Sequence, residues 1–290
     1  RDGGTHVGGG FNALVAARRM GAEAISLSPI GTGPHASMIE AALAREGIVD
    51  AGPRVDGVDN GFCVAMIGHD AERTFISTKG AETMTPETEW ADFVRTMSPG
   101  DVLYIDGYLM DHPANREAAE AALRVLPEGV RVLLDVSPVI GIPESLPTHH
   151  AIISMNSVEA RAIAKQSRLD GYLPFDSLSC RLAQTLGRDT LIRLGASGAC
   201  FARSASPDSE TSAAHIPTPT IDAVDTNGAG DAHTGVLAAS LALGIPLERG
   251  LVLANCAGAL ASTVPGPASC PTREDIEAAA DALTADTAAE

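Results

Sequence analysis

Asp225-Thr226-Asn227-Gly228-Ala229-Gly230-Asp231 stands immediately before the apolar run of residues 232–243. Two glycines permit a tight backbone turn, and the small side chains leave the amides of Gly228, Ala229 and Gly230 open. Amides of that kind at a helix N-terminus form an anion site that the helix dipole strengthens. Asp231 then falls in the first helical turn, beside that site. A carboxylate there can accept the proton of a substrate hydroxyl while the amides stabilise a transferring phosphoryl group. Spacing alone leaves a second reading open, in which Asp225 or Asp231 only caps the helix.

Working outward, residues 12–20 read as a helix stopped by Gly21, residues 24–30 as a buried strand, and residues 33–46 as a helix ended by Gly47. The texture then changes. Segments 61–68 and 73–78 are strand-like, joined by His69-Asp70-Ala71-Glu72, with Asn60-Gly61 reading as a tight turn. This predicts a hairpin added to the main body, with about residues 50–82 and the N-terminal edge forming a β lid. Beyond residue 85, strands at 102–106, 130–136, 151–154, 190–194 and 199–202 alternate with helices at 113–125, 157–166 and 175–186. Helices at 229–243, 247–263 and 272–283 follow. Short apolar strands alternating with helices predict an α/β fold: a three-layer sandwich around a mostly parallel central sheet covered on both faces. In such sheets ligands sit at the carboxyl ends of the strands.

Length and composition allow this. The chain has 290 residues, of which 45% are hydrophobic but only 3% aromatic, so Ala, Val, Leu and Ile must build the core. A net charge of -17 argues against a nucleic-acid binder and against an anionic membrane surface. Five cysteines, an odd number without CxxC spacing, suit reduced thiols and a cytoplasmic setting. Cys63 and Cys256, in apolar stretches, are expected in the core. No run of 18 apolar residues and no signal peptide is present. Neither Lys79 nor Lys165, the two lysines, lies in a GxxxxGK[ST] pattern, which excludes a Walker-type loop.

Further motifs occur in order around the glycine turn. They are Gly8-Gly9-Gly10-Phe11-Asn12, followed by Ala16-Ala17 and Gly21-Ala22; Asn156-Ser157-Val158-Glu159; Leu194-Gly195-Ala196-Ser197-Gly198; and Ser269-Cys270-Pro271-Thr272. Together with the 225–231 segment, which matches D-T-x-G-A-G-D, they resemble the ribokinase/PfkB carbohydrate kinases over nearly the whole chain. The resemblance implies a ribokinase-like fold and ATP-dependent transfer of the γ-phosphoryl group to a sugar hydroxyl, with Mg²⁺ and, in many members, K⁺. It implies Asp231 as base and Gly228, Ala229 and Gly230 as anion hole. Asn12, with Gly8 and Gly9, resembles the sugar-binding part. Asn156 and Glu159 resemble the pair that arranges phosphate, water and Mg²⁺, the last reached by Glu159 through water. Arg193 and Gly195 fall where the family contacts nucleotide, although a small hydroxyl residue is common at Arg193. Asn255 falls near the adenine pocket. Asp225, Asn227 and Ser269 fall near the monovalent-cation site. A homodimer through the lid is also implied.

Two departures stand out. The family usually opens with a strand carrying a sugar-binding Asp, expected before Arg1. The Asp of the frequent G-x-D is replaced in Gly31-Thr32-Gly33. A nucleoside kinase of the same family, which would need a platform for the base at Phe62 or Phe75, and a catalytically impaired sugar- or nucleotide-binding protein are the alternatives. Other features have plainer readings. Gly8-x-Gly10 lacks the preceding strand and later acid of a dinucleotide site. Asn156 and Glu159 also fit a helix cap. His149-His150 reads as a solvent-facing loop, and Arg73 and Lys79 as a solvated hairpin face. The placement of His233, between the core and the nucleotide, is left open by the sequence.

Overall fold

The computed structural model describes residues 4–67, 73–204 and 212–289. Among the described residues, ten strands run in chain order: β1 (Ile25–Ser26), β2 (Val49–Asp50), β3 (Cys63–Ile67), β4 (Arg73–Ser77), β5 (Val102–Asp106), β6 (Arg131–Asp135), β7 (Ala151–Asn156), β8 (Asp189–Arg193), β9 (Ala199–Ala202) and β10 (Ala213–Ile216). Helices α1 (Gly10–Met20) and α2 (Pro34–Glu46) come early, and α3 (Glu89–Val94), α4 (Gly107–Met110) and α5 (Pro113–Arg124) flank β5. Then come α6 (Ser157–Gln166), α7 (Phe175–Leu186), α8 (Ala229–Ala242), α9 (Leu247–Ala261) and α10 (Arg273–Ala289).

The central sheet has the order β10-β9-β8-β7-β6-β5. Strands β5 to β8 are parallel, while β9 and β10 join antiparallel. Their apolar runs are continuous because both faces are covered. Leu133, Ile152 and Leu191 pack towards α1, α8, α9 and α10. The next residues along the same strands, Leu134, Ile153 and Ile192, pack towards α3, α5, α6 and α7. This is the period of two expected of a pleated strand in a three-layer sandwich.

Three expectations need correcting. The strand expected over 24–30 is confined to Ile25–Ser26, plus an isolated bridge from Ile30 to Arg54, and it pairs with β2 outside the central sheet. Pro29, which lacks an N–H, interrupts the ladder. Asn60-Gly61 is not a hairpin turn. Asn60 is buried, its Nδ2 donates to Pro29 O at 3.1 Å and its Oδ1 accepts from Gly31 N at 2.9 Å, so it pins the foot of the hairpin to the body. Cys63 is exposed rather than core, because β3 and β4 form a separate antiparallel pair with no layer over it. The connector expected at 69–72 lies outside the described residues, as does the Arg73 side chain. Lys79 pairs loosely with Asp111 at 3.8 Å. His149 and His150 are exposed, as expected of a loop. The short elements α3, α4 and β10 have no counterpart in the sequence reading.

Helix α8 is held against α1 more closely than ordinary side chains allow. A methyl group built on Gly235 would lie 2.2 Å from Ala13 O and 2.7 Å from Ala16 Cβ. This contact matters for function, since α1 carries Asn12 and α8 carries Asp231. Gly235→Ala should push the helices apart and cost about 1–3 kcal/mol as overpacking. Urea unfolding checks this, and an unchanged midpoint would refute the close approach.

Candidate active site

The parallel strands end in polar residues at one edge of the sheet: Asp106 on β5, Asp135 on β6, Asn156 on β7 and Arg193 on β8. The register places Asp106 beside Asp135 and Asn156 beside Arg193. This is the carboxyl end of the strands, where loops can reach a ligand. A groove of about 2140 Å³ runs along it. Gly8, Gly9, Asn12, Asn156, Glu159, Arg193, Gly195, Gly228, Ala229, Gly230, Asp231 and Asn255 all border this groove.

Gly228 is the N-cap of α8, at φ 80°, and no side chain caps the helix. Its left-handed backbone and the Pro267 carbonyl, 1.8 Å from where a methyl would sit, both require glycine. The first-turn amides are therefore left for a ligand. Ala229 N–H also reaches back to Thr226 O at 3.3 Å. In the same turn Asp231 Oδ2 accepts from Asn12 Nδ2 at 2.7 Å. Asn12 is buried, and its Oδ1, itself closed to solvent, has no hydrogen-bond partner among the described residues. Burial raises the Asp231 pKa and so does Asp135, whereas the Asn12 hydrogen bond and Arg193 lower it.

Asp106 was not anticipated. It caps α4 through Leu109 N at 2.9 Å and lies beside Gly10, where a methyl group on the glycine would meet Asp106 Oδ2 at 3.4 Å. Burial lifts its pKa to about 6, with Asp135 and Asp231 adding to the effect. A strand-ending Asp before a glycine was the available signal, since strand ends are where α/β sheets place ligands.

Several anticipated residues already have partners within the chain. Asn156 and Glu159 form a reciprocal capping box on α6, with Asn156 N donating to Glu159 Oε2 at 2.7 Å and Asn156 Oδ1 accepting from Val158 N and Glu159 N at 2.9 Å. Arg193 turns to the carboxylates of the neighbouring strand ends. Its guanidinium is buried in a fork on Asp135. Asn255 offers no spare polar atom to adenine, because Nδ2 donates to Ile216 O and Pro217 O, both at 2.9 Å, while Oδ1 meets His233 Nε2 at 3.1 Å. It holds the wall of the groove. Burial drives the His233 pKa down to about 3, so this ring is neutral and belongs to the packed side of α8. Asp225 ties two loops together, accepting from Asn227 N at 3.0 Å and Gly266 N at 3.2 Å. Ser269 Oγ donates to Ala261 O at 3.0 Å. Asp225 and Ser269 lie outside the groove lining.

Among the described residues, Asp135, Glu159 and Asp231 face a single buried cation, Arg193. No three His, Cys, Asp or Glu side chains among those residues converge as a metal cage. The donor set thus fits Mg²⁺ carried on phosphates and waters, which is how that ion is usually held, rather than a dedicated protein site.

Residues 3–274 match the pfkB family of carbohydrate kinases, and the chain belongs to that family. It is a phosphotransferase that acts on a carbohydrate or nucleoside alcohol group. The sugar kinase YegV of Escherichia coli K12, itself uncharacterized, is 31% identical over 277 residues, which cover 93% of this chain and 82% of that protein. The aminoimidazole riboside kinase of Salmonella typhimurium is 28% identical over 276 residues, 89% of this chain and 82% of that one. The crystal structure of ribokinase from Thermotoga maritima shares the fold, with a TM-score of 0.76 at 21% identity over 93% of this chain and 85% of that chain. No helix among the described residues is long and apolar enough to cross a membrane.

Asp106 supplies a test of the site's electrostatics. Its folded pKa is raised, so its contribution to stability is present below the unfolded value near 3.8 and is lost as pH rises through about 6. Asp106→Asn should therefore gain stability relative to the parent between pH 4 and pH 8. Melting temperatures across that range check this, and a constant difference would rule out the raised pKa.

Proposed function

We propose that this protein transfers the γ-phosphoryl group of ATP to a hydroxyl of a sugar of the ribose, fructose or keto-deoxy kind, with Asp231 as general base. The observation that carries this reading is the Asn12–Asp231 hydrogen bond at the uncapped N-terminus of α8. A substrate hydroxyl in the groove would meet the Asp231 carboxylate, which the Asn12 amide orients. Asp231 takes the hydroxyl proton as the oxygen bonds to the γ-phosphorus. The bond from that phosphorus to the bridging oxygen breaks, and the electron pair leaves with ADP. The amides of Gly228, Ala229 and Gly230 face the charge on the transferring group. When bound, Mg²⁺ would neutralise phosphate charge, with Asn156 and Glu159 reaching it through water. Gly8 and Gly9 let the sugar approach the backbone closely, and Gly195 does the same on the nucleotide side. A potassium ion would sit at the loops of Asp225, Asn227 and Ser269, at the border of the groove, and act by shaping the turn.

The β3–β4 hairpin serves as the lid that excludes water from the transfer. Val64, Met66 and Ile76 on it are about half exposed, which favours pairing with the lid of a second copy. One observation supports the nucleoside alternative. His35, held by Asp59 at 2.8 Å, stacks on Phe62 with ring centroids 5.2 Å apart, and both rings border the groove. A flat aromatic surface there could receive a planar base.

ADP release with Mg-ATP, across pentoses, hexoses, keto-deoxy acids and nucleosides and with and without K⁺, tests the reading. At least one acceptor should raise ADP production, and failure of every acceptor sinks the kinase assignment for this chain. Asp231→Asn should lower turnover on the best acceptor by on the order of 10²–10⁴-fold. Near-parental turnover in that variant would remove Asp231 as the base.

A further inference from the structure

Among the described residues, Arg193 is the one cation buried between the carboxylates at the strand ends, with 13% of its side chain exposed against 6% for Asp135 and 9% for Glu159. Its Nη1 donates to Asp135 Oδ2 at 2.5 Å and its Nη2 to Asp135 Oδ1 at 3.2 Å, a two-point fork. Nη1 also donates to Thr234 Oγ1 at 2.8 Å, and the Thr234 hydroxyl donates to Asp135 Oδ2 at 2.9 Å. Arginine, aspartate and threonine thus close a three-membered ring. On its other side, Nη2 lies 3.6 Å from Glu159 Oε2, the oxygen that accepts from Asn156 N. The ring therefore ties the ends of β6 and β8 to α8, and its neighbour Glu159 carries the tie to β7 and α6.

Thr234 stands three residues after Asp231, one turn along the same helix face. The guanidinium lies directly behind the turn that precedes it, since a methyl built on Gly230 would sit 3.8 Å from the guanidinium carbon. α8 has no side-chain cap, so no N-cap side chain helps to fix the angle of its first turn. The ring does so from behind. A buried ion pair of purely structural purpose is commonly replaceable by apolar residues without loss of stability. That property separates a structural role from a positioning one.

We infer that Arg193, Asp135 and Thr234 form a positioning network that sets the first turn of α8, and with it Asp231 and the turn amides, against the reacting groups. Arg193 is then a positioning residue and not a nucleotide contact. This inference rests on the kinase reading above. Misplacing reacting groups by about 1 Å costs on the order of a hundredfold in rate.

The experiment compares the parent protein, Arg193→Met and the double variant Arg193→Met/Asp135→Leu, on the best acceptor found. Arg193→Met should lower kcat by about a hundredfold. It should leave KM for the acceptor within about threefold, because the turn is needed in the transition state more than in the bound ground state. The double variant removes the carboxylate stranded by the single change. It should recover the melting temperature while kcat stays low. Should Arg193→Met fail to fold, the double variant alone decides. Recovery of kcat together with melting temperature would show a merely structural pair and overturn the inference. So would kcat within about threefold of the parent in either variant. ADP titrated into the double variant by calorimetry should bind within about threefold of the parent, and a tenfold or greater weakening would return Arg193 to the nucleotide and overturn the inference. Absence of any parental ADP release fails the kinase reading instead, a result distinct from these.

Discussion

The charge balance at the carboxyl end of the sheet is the constraint on which the site depends. Four carboxylates, Asp106, Asp135, Glu159 and Asp231, gather there, and one guanidinium, Arg193, acts on the last three. Buried carboxylates resist ionisation unless paired, and the environment divides them accordingly. Asp135 has the fork of Arg193. Glu159 is satisfied by the backbone of its own capping box. Asp106 is held by the amide of Leu109 rather than by a cation, and burial lifts its pKa to about 6. Burial raises the Asp231 pKa, and the Asn12 hydrogen bond holds it down. A base for a hydroxyl proton benefits from that balance, since it must be ionised before the reaction and willing to hold a proton after it.

Packing delivers these groups to one place. The parallel register brings the ends of β5 to β8 into line, so four residues far apart in sequence become neighbours. On the other side, the backbone contact between α1 and α8 at Gly235 brings Asn12 within 2.7 Å of Asp231, 219 positions away. Neither helix could make this contact with a larger residue at that crossing. The glycines in this chain therefore act in two ways. Gly228 shapes the turn through its own backbone, and Gly235 admits a neighbouring backbone.

Much of the architecture was legible in the chain. The alternation of short apolar strands and periodic helices specified a sandwich with a mostly parallel sheet, because strands buried on both faces must be apolar throughout. The 225–231 turn was legible because its chemistry is local: glycines, open amides and a carboxylate within one helical turn. The Asn156–Glu159 box was legible for the same reason. Short elements such as α4 and β10 were not, since four residues carry too little period to read. The isolation of β1 from the central sheet was also hidden, because an apolar run does not say which strand it will pair with.

The amino-acid sequence by itself determined the layers of the fold and the local geometry of the glycine turn, since both follow from patterns a few residues long. Only the tertiary structure decided which partners the polar side chains would take. Arg193 read as a nucleotide contact until the sheet register placed Asp135 and α8 placed Thr234 around it. Asn255 read as part of an adenine pocket until the carbonyls of Ile216 and Pro217 claimed its amide. Asp106 read only as the end of a strand until β5 ended beside Gly10. A buried polar group must find a partner, but the partner is chosen by strand register and helix packing across the whole chain, and no local pattern encodes that choice.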